Sequence, residues 1–288
     1  MGMFKTTLLL AGLTGILMFM GKAVGGNGGM MLMFLISMGM NFFSYWYSDK
    51  IVLKMYGAQP VTMQDAPGLV HSVSKLAQAA QMPMPKVYII NEAAPNAFAT
   101  GRDPEHGVVA VTTGIMQALS TEELEGVLAH ELAHIKNRDT LISTIVAGIA
   151  GTITMIANIA QWGAIMGGFG RSDDDEEGAG GLVGSLFMII LAPLAATIIQ
   201  LAISRTREYG ADAKGAEFCG NPLALAEALR KIEYYAKHRT LPEASPSTAH
   251  MFIINPFAGG GQWFMSLFST HPATGDRIAK LEQLARGR

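Results

Sequence analysis

Two histidines are separated by three residues in the segment His-Glu-Leu-Ala-His, which begins at His130 and ends at His134. Residues four positions apart lie on one face of an α-helix, so both imidazoles can reach a single metal ion. Glu131 then lies beside the metal, where its carboxylate can take a proton from a metal-bound water. Because zinc lowers the pKa of that water to about 7, the spacing predicts a hydrolytic zinc site.

The surroundings of this motif favour a helix with a buried face. Ser120 is followed three residues later by Glu123, which is the pattern of a capping box at a helix start. Leu128, Leu132 and Ile135 surround the two histidines. The alternative, two unrelated surface histidines, does not account for these apolar neighbours.

A catalytic zinc ion needs a third protein ligand and an open fourth position. The position six residues after His134, where one class of metalloprotease has a third histidine, is Thr140. The best candidate is Glu208, and Asp212 lies one helical turn further on the same face. Asp212 is suited to hold a ligand histidine through its second ring nitrogen. The alternative interpretation of this pair is an ordinary charged helix face.

The composition indicates a membrane protein. Half of the 288 residues are hydrophobic and only 15% are charged, below the quarter that is typical of soluble domains. Four apolar segments are each close to or above the ~20 residues that span a bilayer as a helix; they run about 4–24, 30–47, 141–169 and 182–204. A cleaved signal peptide is the less favoured interpretation of the first segment, because a second span follows at once.

Charge and cysteine content narrow the partners and the compartment. The formal net charge is −2 and no basic stripe is present, so nucleic acid is not an expected partner. The sequence lacks the Gly-x-x-x-x-Gly-Lys-Ser/Thr pattern, so no nucleotide is expected either. The single cysteine, Cys219, excludes an intramolecular disulfide, which suits a reducing compartment.

Lysine and arginine residues near the span ends predict the orientation. The charge-rich side, which should be cytoplasmic, carries Lys5, Lys50, Lys54, Lys136, Arg138, Arg205 and Arg207, whereas the other side carries only Lys22 and Arg171. We therefore expect both termini in the cytoplasm and the following organisation: a first transmembrane hairpin at 1–48, a first cytoplasmic catalytic segment at 49–139, a second transmembrane hairpin at 140–204 and a second cytoplasmic catalytic segment at 205–288.

The two cytoplasmic segments are predicted to form one α+β domain. Periodicity and turn residues predict helices at 66–81, 204–218, 222–238 and 271–285, strands at 86–91 and 107–114, an extended arm at 95–101 and a loop at 243–262. The apolar stretches 251–257 and 263–268 are either core or a mobile flap. Because the third and fourth spans form a hairpin, His134 and Glu208 should both lie within ~10 Å of the membrane surface, close to each other.

Several segments together resemble the HtpX-type membrane zinc endopeptidases, which are related to the CAAX prenyl proteases and to a mitochondrial inner-membrane quality-control protease. The resemblance covers both apolar hairpins and the segments NAFATG, HELAHIKNRD, SRTREYGADAKGA and STHPATGDRI. It implies a mainly α membrane protein with four transmembrane helices and a gluzincin-like domain. It also implies one zinc ion per chain, held by His130, His134 and Glu208, with Glu131 as the general base.

The same resemblance implies a location and a substrate class. It predicts a multi-pass protein of the bacterial inner membrane, with a cytoplasmic active site. Its substrates would be misfolded or unassembled membrane proteins, degraded in protein quality control and stress response without ATP.

The resemblance further implies that Asn96, Ala97, Phe98 and Ala99 line the cleft and that His271 and Arg277 assist near the substrate. An extended strand beside the zinc can bind a substrate by β-strand addition, although a plain edge strand is the alternative. His271 either donates to a developing oxyanion or caps the last helix. Arg277 pairs either with an acidic group near the site or with substrate carbonyls.

Three other functions remain as alternatives. An intramembrane metalloprotease would need an apolar helix around His130, but Glu122, Glu125 and Lys136 bracket it. A zinc transporter would need ionisable residues in the third and fourth spans, and the sequence has none there. A zinc-stabilised membrane scaffold or holdase without protease activity is the third alternative, and an intact Glu131 speaks against it.

Overall fold

The computed structural model describes residues 2–140, 205–238 and 272–287. The third and fourth predicted spans, the predicted loop 243–262, the apolar stretches 251–257 and 263–268, and His271 all lie outside the described residues.

The chain begins with a long helix, α1 (Gly2–Met55), which is interrupted by non-helical backbone at Gly25 and Gly26. Gly26 adopts a φ of 58°, a left-handed conformation that glycine takes without steric cost. Beyond this break the helix folds back on itself. Ser37 Oγ lies 2.6 Å from Thr14 Oγ1, and Asn41 Nδ2 donates to the same threonine at 3.1 Å. The first two predicted spans therefore lie antiparallel to each other.

Among the described residues, one helical stretch is long and apolar enough to cross a membrane. It runs from Gly25 to Tyr47, has 23 residues and has a mean hydropathy of 1.2. The opposing arm contains a shorter apolar stretch, Leu10–Phe19. Helix α1 continues past the predicted end of the second span, because Val52 and Leu53 are buried against the sheet that follows.

The described part of the chain forms a sheet of four strands: β1 (Gln59–Pro60), β2 (Lys86–Ile90), β3 (Ala97–Thr100) and β4 (Val108–Thr112). Their order is β1-β2-β4-β3, with β2 parallel to β4 and the outer pairings antiparallel. The predicted strand at 86–91 is thereby confirmed, and the predicted extended arm contains β3. The strand predicted at 107–114 is present as β4, but Thr113 and Gly114 belong to the helix that follows it. In the described residues, β3 is an edge strand.

The remaining elements are helices, apart from a short 3₁₀ turn at Pro104–His106. They are α2 (Pro67–Ala79), α3 (Thr113–Ala118), α4 (Thr121–Asn137), α5 (Arg205–Cys219), α6 (Pro222–His238) and α7 (Thr274–Arg286). The predicted capping box is present at the start of α4: Ser120 Oγ accepts from the Glu123 N–H, and the Glu123 carboxylate accepts from the Ser120 N–H at 2.8 Å.

The sheet is buried on both faces. One face packs on the end of α1, where Phe98 joins Val52, Leu53, Val108 and Ala110. The other face packs on the helical layer, whose core is built largely from α2, α4 and α6. Because successive side chains of a strand point to opposite faces, Phe98 faces α1 whereas Ala97 packs into the helical core.

Two glycines let helices approach α4 closely. A Cβ placed on Gly215 of α5 would lie 2.8 Å from the main-chain nitrogen of His130. A Cβ on Gly126 of α4 would lie 2.7 Å from the main-chain nitrogen of Leu225 in α6. Real Cβ atoms do not come this close to backbone, so glycine is required at both crossings. The crossing at Gly215 is what fixes α5 next to the two histidines.

Candidate metal centre

His130, His134 and Glu208 converge on one point between α4 and α5. The two histidine Nε2 atoms are 3.2 Å apart, and Glu208 oxygens lie 3.4 Å from His134 Nε2 and 3.8 Å from His130 Nε2. A tetrahedral ion with ligand bonds of about 2.0–2.1 Å holds its ligand atoms about 3.3–3.4 Å apart. The three side chains therefore fit a tetrahedral metal ion, and the chemistry of the set, two imidazoles and one carboxylate, suits zinc.

Each of the three candidate ligands is positioned by the helix that carries it. Helix α4 places His130 and His134 one turn apart, as the sequence predicts, and helix α5 supplies Glu208. The site is buried: His130 and Glu208 are almost fully covered, and His134 keeps a small exposed fraction. Asp139 precedes and Arg207 follows the second predicted hairpin. The distance from Asp139 Oδ1 to Arg207 Nε is 3.9 Å, so the two ends of this hairpin are neighbours.

Glu131 lies between the ligand cluster and strand β3. Its Oε2 accepts a hydrogen bond from the main-chain N–H of Ala99 at 2.9 Å, and the residue is 8% exposed. One carboxylate oxygen is thus held by the strand, and Glu131 is not a member of the ligand cluster. A carboxylate near the three candidate metal ligands, but not among them, is suited to act as a general base.

Asp212 contacts His130, which is one of the two histidines that the sequence offers as its partner. Asp212 Oδ1 lies 2.9 Å from His130 Nδ1. Arg277 reaches the same carboxylate with two hydrogen bonds, from Nε to Oδ2 at 2.9 Å and from Nη2 to Oδ1 at 2.7 Å. Burial alone would raise the pKa of Asp212, but the charges of Arg277 and His130 hold it well below its usual range.

Arg277 is 1% exposed, and its guanidinium is directed at Asp212. Of the two sequence-based alternatives for this residue, the described structure contains the pairing with an acidic group. Burial alone would lower the pKa of Arg277, and the Asp212 carboxylate raises it above the ordinary value, so the side chain stays charged inside the protein.

His134 has a carboxylate of its own behind it, which the sequence alone did not predict. Asp139 Oδ2 lies 3.3 Å from His134 Nδ1. Burial alone would lower the pKa of His134, but the Glu208 charge and the Asp139 hydrogen bond raise it to about 9. The only signal in the sequence is an acidic residue just past the helix end, which is too common a feature to identify such a role.

Strand β3 presents alternate main-chain groups to the edge that faces away from β4. Asn96 and Thr112 are paired by a Thr112 N–H donation to the Asn96 carbonyl at 2.9 Å. In an antiparallel ladder hydrogen-bonded and non-bonded pairs alternate, so Phe98 bonds to β4 while Ala97 and Ala99 direct their main-chain groups outwards. The Ala99 N–H contacts Glu131, which places this edge beside the cluster.

The structure places Phe98 differently from the other residues expected to line the cleft. Its main chain bonds to β4, and its ring packs on Tyr56, the residue directly after the end of α1, with 5.5 Å between the ring centroids. It supports the strand from behind. The N-cap position of α7 is Ala273, two residues after His271, and the oxyanion role of His271 stays a prediction.

Comparison with known proteins agrees with this geometry. The profile of Peptidase family M48 matches residues 64–285, which include all of the cluster. The protein named Protease HtpX homolog of Persephonella marina is 54% identical over 286 residues, covering 98% of this chain and 97% of the relative. That of Pyrococcus furiosus is 54% identical over 281 residues, covering 98% and 95% respectively.

A solved structure, that of S. mikatae Ste24p, has a similar fold. The TM-score is 0.53 at 18% sequence identity, and the match covers 98% of this chain but only 63% of the Ste24p chain. The resemblance noted in the sequence is therefore confirmed: this chain belongs to peptidase family M48, and it is a metalloendopeptidase.

Proposed function

We propose that this enzyme is a membrane-anchored zinc endopeptidase with its active site on the cytoplasmic side. The observation that carries the proposal is the convergence of His130, His134 and Glu208, with Glu131 held beside them but outside the ligand set. Two imidazoles and one carboxylate leave a fourth position open, as catalytic rather than structural zinc sites do.

Zinc, when bound, supplies a Lewis acid that lowers the pKa of water and polarises a carbonyl oxygen. The protein's own residues carry the remaining tasks. Glu131 accepts the proton of the attacking water and passes it to the leaving amine. The N–H of Ala99 holds the Glu131 carboxylate in place. Asp212 keeps His130 in the tautomer whose Nε2 faces the ligand cluster.

The edge of β3 that faces away from β4, to which no other described strand pairs, is the proposed substrate site. An extended polypeptide can add to this edge by main-chain hydrogen bonds, with Ala97 offering both an N–H and a carbonyl to it. Recognition through the main chain accepts many side chains, which suits an endopeptidase for unfolded proteins. We accordingly propose misfolded or unassembled membrane proteins as substrates, degraded without ATP in quality control.

The apolar segments support a membrane location. Helix α1 doubles back after Gly26, which is the geometry of a hairpin that enters and leaves a bilayer from one side. With the two apolar segments at 141–169 and 182–204, the proposal is a four-span protein of the bacterial inner membrane. Lysine and arginine residues near the span ends favour cytoplasmic termini.

The decisive experiment compares the wild type with Glu131→Gln, both as full-length protein in detergent. Zinc content is measured first, followed by cleavage of an unfolded protein substrate with and without a chelator. Glu122→Gln is the matched control, because Glu122 is an exposed carboxylate on the same helix. We expect one zinc ion per chain in all three proteins and cleavage by the wild type and the control only.

Two other outcomes would count against the proposal. If Glu131→Gln cleaves as fast as the wild type with zinc bound, the general base is a different group. If no variant cleaves while zinc stays bound and the protein stays folded, the metal has a structural role, and the scaffold or holdase function takes its place.

A further inference from the structure

On the side that faces away from the cluster, each of its two histidines contacts an aspartate, and each aspartate in turn contacts an arginine. For His130 the chain of contacts is closed and tight: its Nδ1 lies 2.9 Å from Asp212, and Arg277 grips that carboxylate with two hydrogen bonds. All three side chains are at most 3% exposed. This support fixes the ring nitrogen that is turned away from the ligand cluster.

His134 has the same arrangement on the opposite side of the site. Its Nδ1 lies 3.3 Å from Asp139 Oδ2, and Asp139 Oδ1 lies 3.9 Å from Arg207 Nε. As with His130, Nδ1 meets the carboxylate and Nε2 faces the ligand cluster. The second arrangement is looser, since its distances are longer and its side chains are 12–18% exposed.

The backbone turns sharply before Asp139, so that its carboxylate lies beside His134 of α4. Helix α4 ends at Asn137, and Arg138 adopts a left-handed conformation with φ 61° and ψ 30°. This conformation is sterically unfavourable for a residue with a Cβ, and it is kept where the surrounding structure fixes the backbone. After this turn, the Thr140 hydroxyl donates to the Gly101 carbonyl at 2.9 Å, so the segment is held on both sides of Asp139.

We propose that Asp139 is the positioning residue of His134, and that Arg207 holds Asp139 in turn. Asp139 accepts from the Nδ1–H of His134 and so keeps the Nε2 lone pair directed at the metal position. This inference rests on the proposed metal centre, because it assigns a task within that centre. Carboxylates that orient ligand histidines typically contribute about 10- to 100-fold to metal affinity.

The test uses Asp139→Asn, which keeps the shape of the side chain and removes its charge. Zinc affinity of the full-length protein in detergent is measured by competition with a chromophoric chelator. The absorption spectrum of the Co²⁺-loaded protein reports the coordination geometry, and the melting temperature in excess chelator reports folding without metal. Asp103→Asn is the matched control, because Asp103 contacts a histidine outside the cluster, with 2.6 Å between its Oδ1 and His106 Nδ1.

We expect Asp139→Asn to keep one metal site per chain, to weaken zinc binding by about 10- to 100-fold and to alter the Co²⁺ spectrum. Asp103→Asn should match the wild type in all three measurements. Should Asp139→Asn fail to fold, Arg207→Gln serves in its place, with a change in the same direction. The positioning role would be overturned if the variant that folds bound zinc within twofold of the wild-type affinity and gave an unchanged Co²⁺ spectrum. If the wild type itself binds no metal, the proposed centre fails and this inference fails with it.

Discussion

Negative charge around His134 raises the pKa of its imidazole, so this side chain keeps its proton to a higher pH than an ordinary histidine does. In the metal-free protein its pKa is raised to about 9 from the ordinary 6.5. Protonated His134 therefore stabilises the folded metal-free protein fully below pH 6.5, and this stabilisation is lost as the pH rises through about 9. Because a metal ligand must be deprotonated, zinc binding at the proposed centre between pH 7 and 9 would have to release this proton.

We predict that the apparent zinc affinity rises about tenfold per pH unit between pH 7 and 9 and levels off above that range. Chelator competition across this pH range measures the slope. The chelator's own proton release is corrected with a protein-free series. An affinity that does not change between pH 7 and 9 would contradict the raised pKa of His134.

Substitution of Arg277 distinguishes two roles for its buried guanidinium. The guanidinium either supports the metal centre through Asp212 or contacts the substrate. Replacing it in Arg277→Gln leaves the Asp212 carboxylate buried without its cationic partner, and breaking such a pair costs about 3–5 kcal/mol. We expect a lower melting temperature and weaker zinc binding, because Asp212 orients His130. Lys280→Gln, on the same helix but stacked on Tyr209, is the control and should keep the zinc affinity. A raised KM with unchanged zinc affinity would instead favour a substrate contact.

At the residue scale, side-chain type and spacing are sufficient to predict which site residues lie together when they are one helical turn apart. The pairs His130 with His134 and Glu208 with Asp212 follow from helical periodicity alone. The sequence does not identify Asp212 as the partner of Arg277, because the two residues are 65 positions apart and lie in different helices. Asp139 was missed because a left-handed residue at Arg138, which no local propensity favours, brings it back to the site.

At the element scale, the crossing of α4 and α5 depends on Gly215. In Gly215→Ala the added Cβ would meet the backbone of His130 at 2.8 Å, so one helix must move. We expect a loss of about 1–3 kcal/mol from overpacking, together with weaker zinc binding, because Glu208 moves with α5. Chemical unfolding and chelator competition measure the two effects.

Gly210→Ala is the matched control on the same helix. No described atom lies within 4 Å of a Cβ placed at Gly210, and alanine is a better helix former than glycine by about 0.8–1 kcal/mol. This variant should be as stable as the wild type or more stable, with unchanged zinc affinity. Equal losses in both variants would indicate that the crossing at Gly215 is not what matters.

Elements with strong local signals were predictable from the sequence, and short ones were not. The capping box marked the start of α4, and periodicity marked α2 and α6. Helix α3 follows β4 with no loop between them, because Thr112 both ends the strand and caps the helix. The predicted strand therefore extends to Gly114, two residues too far. Strand β1 has only two residues and exists because β2 pairs with it; no local pattern predicts such a strand.

At the scale of the whole molecule, α1 and the sheet form one packed body. Val52 and Leu53 at the end of α1 lie in the same buried cluster as Phe98 of β3, and the Arg102 guanidinium lies over the Trp46 ring at 4.6 Å. The strand proposed to bind substrate is thus fastened to the apolar helix. From the sequence alone, the helix and the domain were predicted as separate units, because contacts between distant segments leave no periodic pattern.

We predict that Phe98→Ala costs about 3–5 kcal/mol, as large-to-small substitutions of buried aromatic residues do. The cavity opens between α1 and β3, so cleavage of an unfolded substrate should also slow. Phe43→Ala is the control, since Phe43 lies on α1 and is 58% exposed in the absence of a membrane. A comparable loss in both variants would contradict a specific role for the contact between the sheet and α1.

The order of the ligands along the chain has a consequence for biosynthesis. A ribosome makes α4, with His130 and His134, well before it makes Glu208 in α5, and Arg277 follows later still. A nascent chain that ends between them carries a histidine pair without its third ligand and without the arginine that supports Asp212. In the proposed centre, proteolytic activity would therefore begin only after both halves of the enzyme have been synthesised and brought together.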